Sequence, residues 1–167
     1  LLLLIIIAGV SVSWLKILIF PSLLAIIILA LCALWLLRNA KAPENIELID
    51  SRMFSLKEAA IIAGTLTIIQ AGIYGLDLLL GDAGLIAGTL LASLFEIHAA
   101  AAAVVIQGDP TNSTLLYAMI LGLGAHAISK SINATLTRGW KFARVFVPIQ
   151  MLHMRVLISV LCWITLR

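Results

Sequence analysis

Glu96 and His98, in the stretch "SLFEIHAAAAAVV", are two ionisable groups set in an apolar run, and the next apolar segment carries "HAISKSINATLT". At the centre of a bilayer such groups cost at least about 2.5–3.5 kcal/mol each on insertion scales, so they face a partner or a water-filled cavity. His126, Lys130, Asn133 and Thr137 recur at i, i+4, i+7 and i+11, a polar stripe of about three helical turns with Ser129 beside it. Thr89, Ser93 and Glu96 share a face of the preceding segment in the same way. His98 lies two residues past Glu96, about 200 degrees around a regular helix. The two converge only if the helix unwinds between them; otherwise His98 meets a different neighbour. Small residues after His98 would let another helix approach closely, and broken helices are tolerated at membrane depth where they line a cavity.

Pairing Glu96 with Lys130 across the two segments would cancel charge at depth. Such a pair is either a buried salt bridge that sets helix register or part of a polar site for an ion, a proton or a small solute. The expected intramembrane site is therefore Glu96, His98, His126, Ser129, Lys130 and Asn133. A proton gained or lost at Glu96 or at a histidine would make or break the pair. A secondary polar face joins Thr67, Gln70, Tyr74 and Asp77, and Gln150, His153 and Arg155 open the last apolar segment.

Other chemistry finds little footing. Three histidines on three segments have no ligand spacing, so neither a metal nor a cofactor is expected. The chain has no Gly-rich phosphate loop, no H-E-x-x-H and no G-x-S-x-G, and no enzyme activity is expected. Cys32 and Cys162 lie in apolar runs and read as packing residues. The net charge of +3 sits at loops, which suits a membrane surface and not nucleic acid.

The elements that must position these groups follow from composition. Hydrophobic residues make up 63% of the 167 and charged residues 11%, against about a quarter charged in ordinary soluble domains. Continuous apolar runs favour helices over barrel strands, which would alternate. The expected fold is all-α, one transmembrane helical bundle over residues 1–167 with about six membrane segments. The fourth of these breaks if Glu96 and His98 are to meet.

Residues 1–37 are too long for one crossing and divide near Phe20-Pro21 into two helices. Residues 38–55 form a polar surface loop. A third helix starts at "SLKE", where Ser55 and Glu58 have capping-box spacing, and ends at "GDAG", with Asp82 as the next N-cap. The fourth segment covers 83–106. Pro110 suits the start of a fifth helix, "RGWKFAR" makes a basic, Trp-bearing interfacial turn, and a sixth helix follows from about Val145. Lys16 is expected at an interface. On this alternation Arg38, Lys41, Arg52, Lys57 and Arg167 face Lys16, Arg138, Lys141 and Arg144 across the membrane, which leaves orientation open. Leu1 is not methionine and "LLLLIIIAGV" has neither a charged lead nor a cleavage site, so residues are expected upstream.

The run from "SLKEAAIIAGTL" through "GDAGLIAGTLLASLFEIHAAAAAVV" and "HAISKSINATL" to "GWKFARVFVP" resembles the bacterial inner-membrane domain of unknown function that follows MgtC/SapB-type domains. In that family the fourth-helix motif is an acidic residue, a spacer, then Asp or His and small residues; Glu96 and His98 occupy those positions here, with Glu in place of the more usual Asp. The next motif is Asn, Thr, any residue, Ser or Thr, then Lys; Ser129 and Lys130 match it, whereas His126 stands where Asn is usual. The resemblance implies an all-helical, multi-pass protein of the bacterial inner membrane and supplies no substrate. The expected function is transporter-like or channel-like, through Glu96, Lys130 and the hydrogen-bonding groups around them. The rival is a non-catalytic subunit that stabilises or regulates a larger membrane complex. It would pack on a protein partner or a second copy through the small-residue faces at Ala99–Ala103 and Gly122/Gly124.

Overall fold

The computed structural model describes residues 2–39 and 56–165, and every element among them is a helix. In chain order these are α1 (Leu2–Val10), α2 (Val12–Asn39), α3 (Leu56–Leu80), α4 (Asp82–Phe95), α5 (Ile97–Gln107) and α6 (Ser113–Thr165). Most of the expected 38–55 loop, and the capping contact of Ser55 with Glu58, lie outside the described residues.

The first division falls at Ser11 and not at Phe20-Pro21. Ser11 donates its N–H to the Ile7 carbonyl and accepts from Leu15, while its hydroxyl takes the N–H of Trp14 at 3.4 Å. A serine supplies the side-chain acceptor that a helix start needs. Pro21 sits inside α2, where it removes only one donor, a loss that packed apolar helices absorb.

Two long stretches double back. α6 has one non-helical residue, Gly139, at φ 77 and ψ 171, a region open to glycine and strained for other residues. A Cβ built on Gly124 would lie 4.0 Å from Ile158 Cδ1, although a straight helix would separate them by about 51 Å. The arms 113–138 and 140–165 therefore form a hairpin, and the expected "RGWKFAR" turn is made essentially at Gly139.

The fourth segment also reverses, which corrects its reading as a crossing. At its start, Asp82 Oδ2 accepts the Thr114 hydroxyl at 2.9 Å. Just past its end, a Cβ on Gly108 would lie 3.1 Å from Leu115 Cδ1. Both ends thus stand beside the start of α6, and the chain turns between them at Glu96. The same bond corrects the role of Asp82: Gly81, at φ 58, occupies the N-cap position of α4 without a side-chain bond, and Asp82 ties α4 to α6 instead. Asn112 performs the capping at α6, its Oδ1 accepting from Thr114 N–H at 2.9 Å, while Pro110 lies in the turn before it.

α5 forms the centre. Ile97 and every residue from Ala99 to Val105 are buried, packed among α1, α3, α4 and α6. Alanine is the strongest helix former and its methyl group lets four neighbours come close. Trp14 is fully buried and its indole N–H donates to the Gly108 carbonyl at 2.7 Å, fastening the start of α2 to the end of α5.

Large apolar side chains such as Leu79, Phe95 and Leu136 face outward. Among the described residues, three helices are long and apolar enough to cross a membrane: Val12–Arg38, Ala63–Leu80 and Ser113–Thr165. The third is the α6 hairpin.

Candidate functional site at the tip of the α4–α5 hairpin

Glu96 is extended, at φ −148 and ψ 107, and is both the C-cap of α4 and the N-cap of α5. It keeps the outer bonds of both helices: its N–H donates to Ala92 at 2.8 Å and its carbonyl accepts from Ala100 at 3.3 Å. Between these bonds the ladder is interrupted, and buried backbone groups left bare would each cost about 1–3 kcal/mol.

Side chains take up the freed groups. Glu96 Oε1 accepts the N–H of His98 at 3.0 Å and also bonds His98 Nδ1. The unwinding that the spacing demanded is therefore present, and it brings Glu96 and His98 together. From α6, His126 Nδ1 donates to the Ser93 carbonyl at 2.9 Å, and the Ser129 hydroxyl donates to the Leu94 carbonyl at 2.6 Å. A carbonyl only accepts, so His126 carries its proton on Nδ1, and Nε2 is the acceptor of the neutral ring. His126 and Ser129, one turn apart, cap the end of α4 from outside.

This close seat depends on Gly122. A Cβ there would lie 2.7 Å from Ser93 Oγ and 3.2 Å from Thr89 Cγ2. Ser93 turns its own hydroxyl back to the Thr89 carbonyl at 2.6 Å. Gly122 and the Ala99–Ala103 face, expected as partner surfaces, are thus occupied within the chain.

Lys130 does not pair with Glu96: among the described residues the ion pair of Glu96 is with His98. The physical reason is the reversal. α4 covers the polar stripe of α6 only as far as Ser129, then turns away, so Lys130, Asn133 and Thr137 are exposed. Glu96 and His98 themselves retain about a third of their side-chain exposure, 36% and 34%. His126 lies near the middle of the first arm, about 20 Å along from Ser113.

Thr67, Gln70 and Tyr74 line an open cavity of about 310 Å³ together with Gln107 at the end of α5. Thr67 bonds its own helix, donating to Ala63 O at 2.9 Å. Asp77 lies in the last turn of α3, outside that lining, and its carbonyl accepts from Gly81. Among the described residues, Thr89 Oγ1 and His153 Nδ1 are buried without a hydrogen-bond partner.

Residue types do not announce the carbonyls of Ser93 and Leu94, which are what His126 and Ser129 hold. The only signal was Ser93 sharing the Glu96 face. Replacing His126 with leucine strands the Ser93 carbonyl and is expected to cost about 1–3 kcal/mol. His126→Asn keeps an N–H donor and should unfold close to the native temperature in detergent. Equal losses for the two variants would mean that the ring acts through packing alone.

The family model for Domain of unknown function (DUF4010) matches residues 1–138, a span holding the hairpin and the whole polar stripe. No curated protein and no solved structure matches the chain.

Proposed function

The chain belongs to the DUF4010 family of domains of unknown function, and from that premise we propose that it is a multi-pass membrane protein that passes an ion or small solute through the hairpin tip. One observation carries this reading: an ionisable pair, Glu96 and His98, stands at the reversal of the α4–α5 helical hairpin. Non-helical backbone at membrane depth is tolerated where protein buries it or where it lines a water-filled cavity. A neutral serine or asparagine would cap α5 as well; the charged pair adds cost at depth and with it the capacity to bind or exchange a proton or cation.

The bare stripe supplies the approach. Thr137, Asn133 and Lys130 lead from the Gly139 end towards Glu96, on the face that α4 leaves uncovered. In this reading α2, α3 and the two arms of α6 cross the bilayer, while α4–α5 enters and leaves on one side. The membrane is the bacterial inner membrane, and an MgtC/SapB-type domain accompanies this one in the parent protein, both on the strength of the motif resemblance. The test is flux: the full chain in phospholipid vesicles, with imposed gradients of H⁺, Na⁺ and K⁺ in turn followed by entrapped dyes. Flux above that of protein-free vesicles is expected for at least one of them, and leakage equal to protein-free vesicles for all three would contradict passage of these ions.

A second reading, the non-transporting subunit, is favoured by the bonding of His126 and Ser129 to α4 carbonyls, which spends their polar atoms on structure. A stoichiometric partner retained on purification, with no flux, would decide for it.

The hairpin also supports an orientation. Because α4–α5 does not cross, Arg38, at the end of α2, lies at the same end as Arg138, Lys141 and Arg144; Leu36 and Lys141 line one cavity. Lys16 lies at the other end, close to Trp14 and Gly108. By the excess of Lys and Arg, the Gly139 end faces the cytoplasm. In a chain with Cys32 and Cys162 replaced by serine, Asp109→Cys should react with a membrane-impermeant maleimide on intact cells and Trp140→Cys should not. The reverse pattern would overturn the orientation.

A further inference from the structure

The second arm of α6 and the end of α2 leave an apolar groove of about 570 Å³ between them. Leu29, Ala33 and Leu36 form one wall, and Phe142 and Phe146, stacked with centroids 5.4 Å apart, form part of the other. Lys141 is the charged residue of the lining. Arg138 precedes it by three residues in the chain and Arg38 follows Leu36 by two, while Arg144, 5.6 Å from the Trp140 ring centroid, lines a separate neighbouring cavity with that Trp. Of the four described acidic side chains, Asp77, Asp82 and Asp109 belong to the opposite end, around the starts of α4 and α6, and Glu96 is at the tip of the α4–α5 hairpin. We propose that this groove is a binding site for an anionic phospholipid of the adjoining leaflet, its acyl chain against Leu29, Leu36 and Phe146 and its phosphate at Lys141 and Arg138.

The occupant follows from charge and shape together. A wholly apolar helix entering the groove gains nothing from the cations, whereas an anionic amphiphile matches both parts. Basic pockets between transmembrane helices bind anionic headgroups in this way, and an exposed Trp140 suits the headgroup level. Lys141 meets the phosphate as a point charge, and Arg138 can offer its planar fork.

The site rests on the membrane reading above but not on transport through Glu96. Native mass spectrometry of the full chain, offered equal phosphatidylglycerol and phosphatidylcholine in detergent, tests it. The native chain should retain phosphatidylglycerol in preference, and Lys141→Gln with Arg138→Gln should reduce that preference, by about fivefold per cation removed. Lys16→Gln, at the other end, should leave it unchanged. Absence of preference in the native chain, or preference undiminished in a folded double variant, would overturn the site, leaving only ordinary boundary lipid. Glu96→Gln should retain the lipid preference, so a failure of transport and a failure of this site read out separately. A chain that stays soluble without detergent would remove both.

Discussion

Glu96→Gln is expected to reduce flux through the reconstituted chain at least tenfold while leaving its unfolding temperature nearly unchanged. The glutamine Oε1 still accepts the N–H of His98, so the α5 cap that now measures 3.0 Å survives. What disappears is the negative charge beside His98 and the carboxylate that could take up a proton. A tenfold loss corresponds to about 1.4 kcal/mol of barrier, a small share of what placing a charge at depth costs. Glu96→Ala separates the two roles, since it also removes the cap and should lower stability by about 0.5–2 kcal/mol. If Glu96→Gln transported like the native chain while Glu96→Ala unfolded early, the carboxylate would be a helix cap and nothing more.

The largest effect on stability is expected away from the polar groups, at Gly84. α3 and α4 meet so closely after the Gly81 turn that a Cβ on Gly84 would lie 1.9 Å from the Leu76 carbonyl oxygen and 2.6 Å from its carbon. The obstacle is backbone, which no rotamer change relieves. Gly84→Ala must push α4 away from α3, at a cost at or above the usual 1–3 kcal/mol of overpacking. It should also pull the hairpin tip out of register with His126 and Ser129, lowering flux although Gly84 lies about 18 Å along α4 from Glu96. Gly64→Ala is the control: nothing lies within 4 Å of its Cβ, and the change should be neutral or slightly stabilising. Equal unfolding temperatures for the two alanine variants would mean that the α3–α4 approach is looser than the structure has it.

Much of this was legible in residue types, and the limits have physical causes. Apolar run length gave the helical class, and the two-residue spacing of Glu96 and His98 stated the condition for a break, which Glu96 meets. The direction of the chain after the break was not legible, because an extended residue can continue a segment or reverse it, and only the tie of Asp82 to Thr114 shows which. That single ambiguity produced two wrong expectations. With α4–α5 counted as a crossing, Lys130 fell opposite Glu96, and the basic turn at 138–144 fell on the side away from Arg38. Backbone propensity predicts a division at Pro21, yet packed helices tolerate proline, and Ser11 holds the capping oxygen.

His126 is the instructive residue. Its place on the polar stripe marked it, but its partner is a main-chain carbonyl freed by the break, which no residue type encodes. Family resemblance put asparagine at this position, and both side chains can offer an N–H to the same acceptor. The substitution therefore leaves the cap of α4 intact and alters what else the position presents.

Thiol accessibility at Asn133 tests the central claim most directly, namely that a wet path runs from the Gly139 end to the hairpin tip. In the cysteine-free chain, sealed inside-out vesicles carrying Asn133→Cys should react with a membrane-impermeant thiol reagent far faster than those carrying Ile132→Cys, its neighbour on another face of the helix. Reaction of neither position, or of both equally, would contradict a polar path along the stripe and leave the Glu96–His98 pair as the cap of a buried turn.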